Sequence, residues 1–256
     1  MEFPPADLSL SIFLAACLVT FGAGVVKGAV GFAMPLIMIA GLGLFLDPLV
    51  ALAAIIAPIV LSNTVQALRR GPAETWAAFR EHWRYVTIVC LAIFAMAQFV
   101  TRIPTQVIYV ILGVPVVVFS LIQLVGWRPS IPPHRRRSAE WGIAFLAGSL
   151  GGLAGTWGPP TVLYLLALDV PKARAMIVQG VVYGLGSYTL LAGHLRSGVL
   201  NAETVPLTLA LVLPALVGLW SGFWISDRLD QEKFRRITLA VLVVAGLNLV
   251  RRGIMG

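Results

Sequence analysis

Charge in this chain is confined almost entirely to the joints between long apolar runs, and that segregation decides what the chain can fold into. From residue 8 to residue 46 the only charged side chain is Lys27. Cutting at charges, prolines and glycines gives ten apolar segments: 8–26, 32–46, 48–68, 84–101, 105–126, 141–154, 159–168, 174–195, 204–225 and 234–250. Crossing a bilayer core takes about 20 helical residues, and most of these runs reach that length. Only 12% of the 256 residues are charged, whereas a soluble domain carries about 25%. The expectation is an all-α integral membrane protein, which excludes a soluble enzyme, a nucleic-acid binder and a secreted disulfide scaffold. The second, sixth and seventh segments are short, so they cross fully or form half-helices of re-entrant hairpins.

The net charge of +8 follows membrane topology. When successive loops alternate between two sides, fifteen Lys and Arg fall on one side and four on the other, the latter being Arg102, Arg196, Arg251 and Arg252. The rich side is cytoplasmic by the positive-inside rule, which places both termini outside. Trp76, Trp83, Trp127, Trp141, Trp220 and Trp224 fall near cytoplasmic segment ends, where indoles favour the headgroup region, and Trp157 does not. Residues 71–83 read as a short interfacial helix, with Trp76, Phe79 and Trp83 along one face. Cys17 and Cys90 stand alone in apolar runs and read as small core residues. No Lys or Arg precedes the first apolar run, so that segment is expected to stay in the mature protein.

The Pro- and Arg-rich stretch 127–140 separates five segments from five. Gly24, Gly28, Gly31 and Pro35 recur as Gly148, Gly152, Gly155 and Pro159, each pair 124 residues apart, and Asn63 answers Ser187 at the same offset. This reads as a duplication: a first repeat over 1–126, a cytoplasmic linker over 127–140 and a second repeat over 141–256, together one transporter domain. An odd number of crossings per half inverts the second copy. The fold class expected is therefore an inverted repeat of 5+5 membrane segments, the first pair of each repeat broken or re-entrant at its Gly/Pro motif, an architecture of secondary transporters.

Each motif looks like one helix closed by glycine followed by another opened by proline. Such a break is tolerated inside a bilayer only where the backbone is buried or lines a cavity. The opened helix starts favour anions, through free N–H groups and the helix dipole. Lys27 sits in the first break, and its charge has two readings: its side chain snorkels to the cytoplasmic surface, or its ammonium faces a bound anion. Position 151, its counterpart, is glycine. The second break offers the Thr156 hydroxyl and the Trp157 indole N–H. Gln179, Tyr183 and Ser187 form a polar stripe at helical spacing, as glue between helices or as substrate contacts. The glycines likewise serve close helix packing or the site. The candidate substrate-binding set is Lys27, Gly28, Gly31, Phe32, Pro35, Asn63, Gly152, Gly155, Thr156, Trp157, Gly158, Pro159, Gln179, Tyr183 and Ser187. His82, His134 and His194 have no metal-ligand spacing, and no nucleophilic triad or phosphate-binding loop is present. No catalytic residue, metal or cofactor is expected.

The pattern Gly24-xxx-Gly28-xx-Gly31-Phe32-xx-Pro35, its echo Gly148-xxx-Gly152-xx-Gly155-xx-Gly158-Pro159, and Pro171-Lys172-Ala173-Arg174 resemble the sulfite exporter TauE/SafE family, also called the toluene sulfonate uptake permease family. The resemblance spans nearly the whole chain. It implies transport of small sulfur-containing anions, such as sulfite, sulfonates or sulfoacetate, across a bacterial inner membrane. The partners implied are a small anionic substrate and the lipid bilayer, with room for a homo-oligomer and none for nucleic acid. The competing readings are an anion channel, a small-carboxylate transporter, and a membrane scaffold or biogenesis subunit for a partner enzyme.

Overall fold

A computed structural model describes residues 8–31, 33–69, 71–127, 130–226 and 230–255. Phe32 and the extreme termini lie outside the described residues, as do Arg70, Arg128 and Arg228, three of the fifteen basic residues counted on the cytoplasmic side. Within them the secondary structure is helical, with no strand: α1 (Leu10–Val30), α2 (Met34–Leu42), α3 (Pro48–Ala54), α4 (Ile56–Leu68), α5 (Pro72–Ala97), α6 (Thr105–Val125), α7 (Arg136–Ala154), α8 (Gly158–Ala167), α9 (Lys172–Ser197), α10 (Val205–Ala210), α11 (Val212–Ser226) and α12 (Gln231–Met255). Among the described residues, seven stretches are long and apolar enough to cross a membrane: α1, α3 with α4, α5, α6, α9, α10 with α11, and α12. The 9-residue α2 and the 10-residue α8 span about 14 and 15 Å, half of a hydrocarbon core of about 30 Å.

Local chemistry sets these boundaries. Asp47 caps α3 by accepting a 2.8 Å bond from the Leu49 N–H, and Pro48 follows at the first helical position. Pro58 has no N–H to offer the Ala54 carbonyl one turn back. The Thr208 hydroxyl donates to that carbonyl at 3.1 Å and accepts from the Ala57 N–H at 3.0 Å, so the interruption between α3 and α4 is satisfied by a side chain from α10. Gly126 and Gly198 end α6 and α9 in the left-handed region.

Residues 71–83 are expected to form a short helix of their own; Pro72 starts one, and α5 breaks at a non-helical residue, His82 (φ −114°, ψ 22°), so that two helices meet there across a kink and the second runs on to Ala97. On the segment before the kink Trp76, stacked on Phe79, stays exposed. One helix starts earlier than the apolar run at 141: α7 begins at Arg136, with Arg136 and Arg137 in its first turn and Arg135 closing the 3-10 turn before it. Six tryptophans are more than half exposed, while Trp157 is 2% exposed.

Packing explains most of the glycines. α1 lies on α11, α7 and α9 lie on α5, α4 lies on α9, and α6 lies on α12. A Cβ at Gly28 would stand 2.2 Å from the Leu219 carbonyl oxygen, and one at Gly152 would stand 2.4 Å from that of Ile93. Gly24 and Gly148 meet the backbones of α11 and α5 in the same way. These are helix pairs in backbone contact, as small-xxx-small motifs allow. Gly28 and Gly152, two of the site candidates, face neighbouring helix backbone, an outcome set by which helices are adjacent.

Gly152→Leu therefore has no room without separating α7 from α5, and is expected to cost about 2–4 kcal/mol, in the range of severe overpacking. Thermal unfolding of the detergent-solubilised protein should show a large drop in Tm for this variant. Gly142→Ala, at a helical position with nothing near its added Cβ, should leave Tm unchanged or raise it. Equal behaviour of the two would refute the packing account.

Candidate functional site

The two Gly/Pro motifs build the site. α1 closes at Gly31 in the left-handed region (φ +86°), with the Gly31 N–H bonded to the Lys27 carbonyl at 2.7 Å. Ala33 is also left-handed (φ +76°), a conformation a side chain adopts at some cost, and α2 then starts with Pro35 in its first turn. α7 closes at Gly155 (φ +65°), its N–H bonded to the Gly151 carbonyl at 2.8 Å, and α8 starts with Pro159 and Pro160 in its first turn. The starts of α2 and α8 flank a cavity of about 30 Å³ lined by Lys27, Ala33, Pro35, Leu36, Asn63, Gly155, Thr156, Trp157, Gly158, Pro159 and Tyr183.

Lys27 lies on the last turn of α1 and is 3% exposed. It does not snorkel; its ammonium donates to Ser62 Oγ at 3.0 Å and to Asn63 Oδ1, both on α4. No carboxylate pairs with it among the described residues. An ammonium has three N–H donors, so one is left for a ligand. Asn63 in turn donates from Nδ2 to the Tyr183 carbonyl of α9 at 3.1 Å. Gln66, one turn on, donates to the Gly31 carbonyl at 3.1 Å and holds the first break against α4.

On the opposite wall, donors that the sequence offers to a ligand are already engaged. The Trp157 indole N–H bonds the Val182 carbonyl at 3.3 Å, in a notch left by Gly186, where a Cβ would lie 2.8 Å from Nε1. The Tyr183 hydroxyl donates to the Gly158 carbonyl at 3.2 Å. Both rings thus form walls. Thr156 Oγ1 is the exception: it is buried beside the cavity with no partner among the described residues. It stands with the first-turn N–H groups of α2 and α8, which lack intrahelical acceptors.

Of the sequence candidates, nine line this cavity and five do not, Phe32 being outside the described residues. Gly31 shapes the break, and Gly28 and Gly152 pack helices. Ser187 spends its hydroxyl on the Gly184 carbonyl of its own helix at 2.7 Å. Gln179 lies half-buried away from the cavity. Sequence reasoning missed Ser62, whose signal was its place beside Asn63, and Ala33 and Leu36, which flank named residues.

A multi-helix membrane protein with a buried ammonium, unpaired by any described carboxylate, between two half-length helices has the parts of an integral membrane transporter. The sequence matches the Sulfite exporter TauE/SafE family over residues 16–249, and the chain belongs to that family. No curated protein and no solved structure gives a match of comparable standing.

Asn63→Leu removes one acceptor from a buried charge and an α4–α9 bond. It is expected to destabilise the protein by about 1–3 kcal/mol. Adding Lys27→Met should recover part of that loss, because no charge is then left unpartnered. Strict additivity of the two substitutions in denaturation measurements would show that Asn63 does not serve Lys27.

Proposed function

We propose that this chain carries a small sulfur oxyanion or sulfonate across a bacterial inner membrane, binding it where the starts of α2 and α8 meet beside Lys27. The observation that carries the reading is the Lys27 ammonium, buried, unpaired by any described carboxylate and facing the cavity. Moving a Lys to the membrane centre costs about 2.5–3.5 kcal/mol even on a lenient insertion scale, and a bound anion offsets that cost each time the site fills. Sulfur comes from the family, the anion from the residues.

The transport cycle proposed is alternating access between two inverted repeats of five segments, 1–126 and 141–256, joined by a cytoplasmic linker over 127–140, with both termini outside. Helix packing supports it. Exchanging the halves turns the α1–α11 contact into α7–α5, the α5–α9 contact into α11–α4 and the α1–α2 contact into α7–α8, while α6–α12 and α4–α9 map onto themselves. The seclusion of the site favours a transporter over a channel, since Lys27, Asn63, Thr156 and Trp157 are all nearly inaccessible to solvent.

The energy source proposed is the membrane potential. An inside-negative potential is worth about 2.3 kcal/mol per charge per 100 mV and drives anions outward. In proteoliposomes with equal pH on both sides, efflux of the transported anion should accelerate as the interior is made more negative. Lys27→Gln should weaken anion binding by about 1.5–3 kcal/mol, roughly 10- to 150-fold. Flux that follows an imposed pH gradient and ignores the potential would refute potential-driven efflux. Undiminished binding in a folded Lys27→Gln protein would refute the site.

A further inference from the structure

Among the described residues the cavity is lined by one cation and no second. Of its lining residues only Lys27 is basic, and none is acidic. The position equivalent to Lys27 in the second half is Gly151, and the space a side chain would need there is filled by Ile93 and Trp157, 2.8 and 3.3 Å from an added Cβ. Helix starts ordinarily add neutral donors, but Pro35, Pro159 and Pro160 have no N–H to contribute. Trp157 and Tyr183 have spent theirs on carbonyls. What remains for a ligand is one ammonium, the Thr156 hydroxyl and a few backbone N–H groups.

We infer that this site selects its ligand by charge, taking a compact monoanion and rejecting a dianion of the same shape. The inference rests on the anion site proposed above. Attraction to a single cation grows in proportion to ligand charge, whereas the cost of stripping water from an ion grows with the square of its charge. Beside one ammonium a monoanion is neutralised; a dianion leaves a net charge buried among apolar walls. The cavity of about 30 Å³ holds two or three water-sized groups, which limits the ligand to a small head such as a hydrogensulfite or a short-chain sulfonate. Sulfite interconverts with hydrogensulfite in water near neutral pH, so a site that takes only the monoanion moves one proton with each sulfur. That ligand-borne proton needs no titrating carboxylate at the site, and none lines it.

Dimethyl sulfone, methanesulfonate and sulfate are tetrahedral, similar in size, and carry charges of zero, one and two. Their affinities for the purified full-length protein, read by calorimetry or thermal shift, test the inference without any substitution. Methanesulfonate should bind, sulfate should bind at least tenfold more weakly, and dimethyl sulfone should not bind. Apparent affinity for sulfite should rise as pH falls and hydrogensulfite accumulates, relative to methanesulfonate, whose charge is constant and which controls for titration of the protein. Sulfate equal to or tighter than methanesulfonate, with both weakened in Lys27→Gln or Thr156→Val, would overturn charge selection while leaving the anion site standing. Binding of neither anion, or binding indifferent to both substitutions, would overturn the anion site and this inference with it.

Discussion

The ammonium of Lys27 is the group around which the rest of the membrane core is arranged. It reaches Ser62 and Asn63 on α4, and Asn63 passes the connection to the Tyr183 carbonyl on α9. An isolated charge in hydrocarbon would be expelled or neutralised. Two neutral acceptors lower that cost without cancelling the charge, so the site keeps a positive potential that a carboxylate would have quenched. Removing either acceptor or adding an acid would therefore damage function in opposite ways, through instability in the first case and through a filled site in the second.

Close helix contact makes such a site possible. Backbone-to-backbone packing at Gly28 against α11 and at Gly152 against α5 brings the ends of α1 and α7 deep into the bundle. There Gly31 and Gly155 can end those helices and α2 and α8 can begin them. Neither break would be tolerated facing lipid, since its open backbone groups would lack partners. The glycines that pack and those that turn thus serve one end by different physics: the first remove a Cβ that would strike a carbonyl, and the second adopt a left-handed φ.

The all-helical, membrane-spanning character of the chain was legible because it rests on local properties: hydrophobic run length, Asp47 as a cap, prolines in first turns and glycines at C-termini. The helix ends at Gly31 and Gly155 were legible for the same reason. Lys27 stood out by charge, yet whether it snorkelled depended on where α4 lay, and that is a tertiary fact. Trp157 lines the cavity, but nothing local says that Gly186 leaves a notch for its ring or that Val182 accepts its N–H. Ser187 matched Asn63 by offset, but it bonds within its own helix whereas Asn63 bridges two others. Residues 71–83 have the composition of a surface helix, and the kink at His82 sets that helix off from the apolar one that follows; nothing in the local sequence, which has no Gly or Pro there, marks the position of the kink.

The central claim is that an unpaired Lys27 makes this cavity attractive to anions, and the local potential can be read directly at Thr156, whose hydroxyl faces the same space. In a background with Cys17 and Cys90 replaced by alanine, Thr156→Cys gives a thiol beside the ammonium. Its rates of modification by an anionic and a cationic methanethiosulfonate of similar size should be compared in membranes and normalised to the rates of each with a free thiol. The account requires the anionic reagent to react faster, methanesulfonate to slow it, and Lys27→Gln to abolish the preference. A faster cationic reagent, or an anionic preference that survives Lys27→Gln, would contradict it.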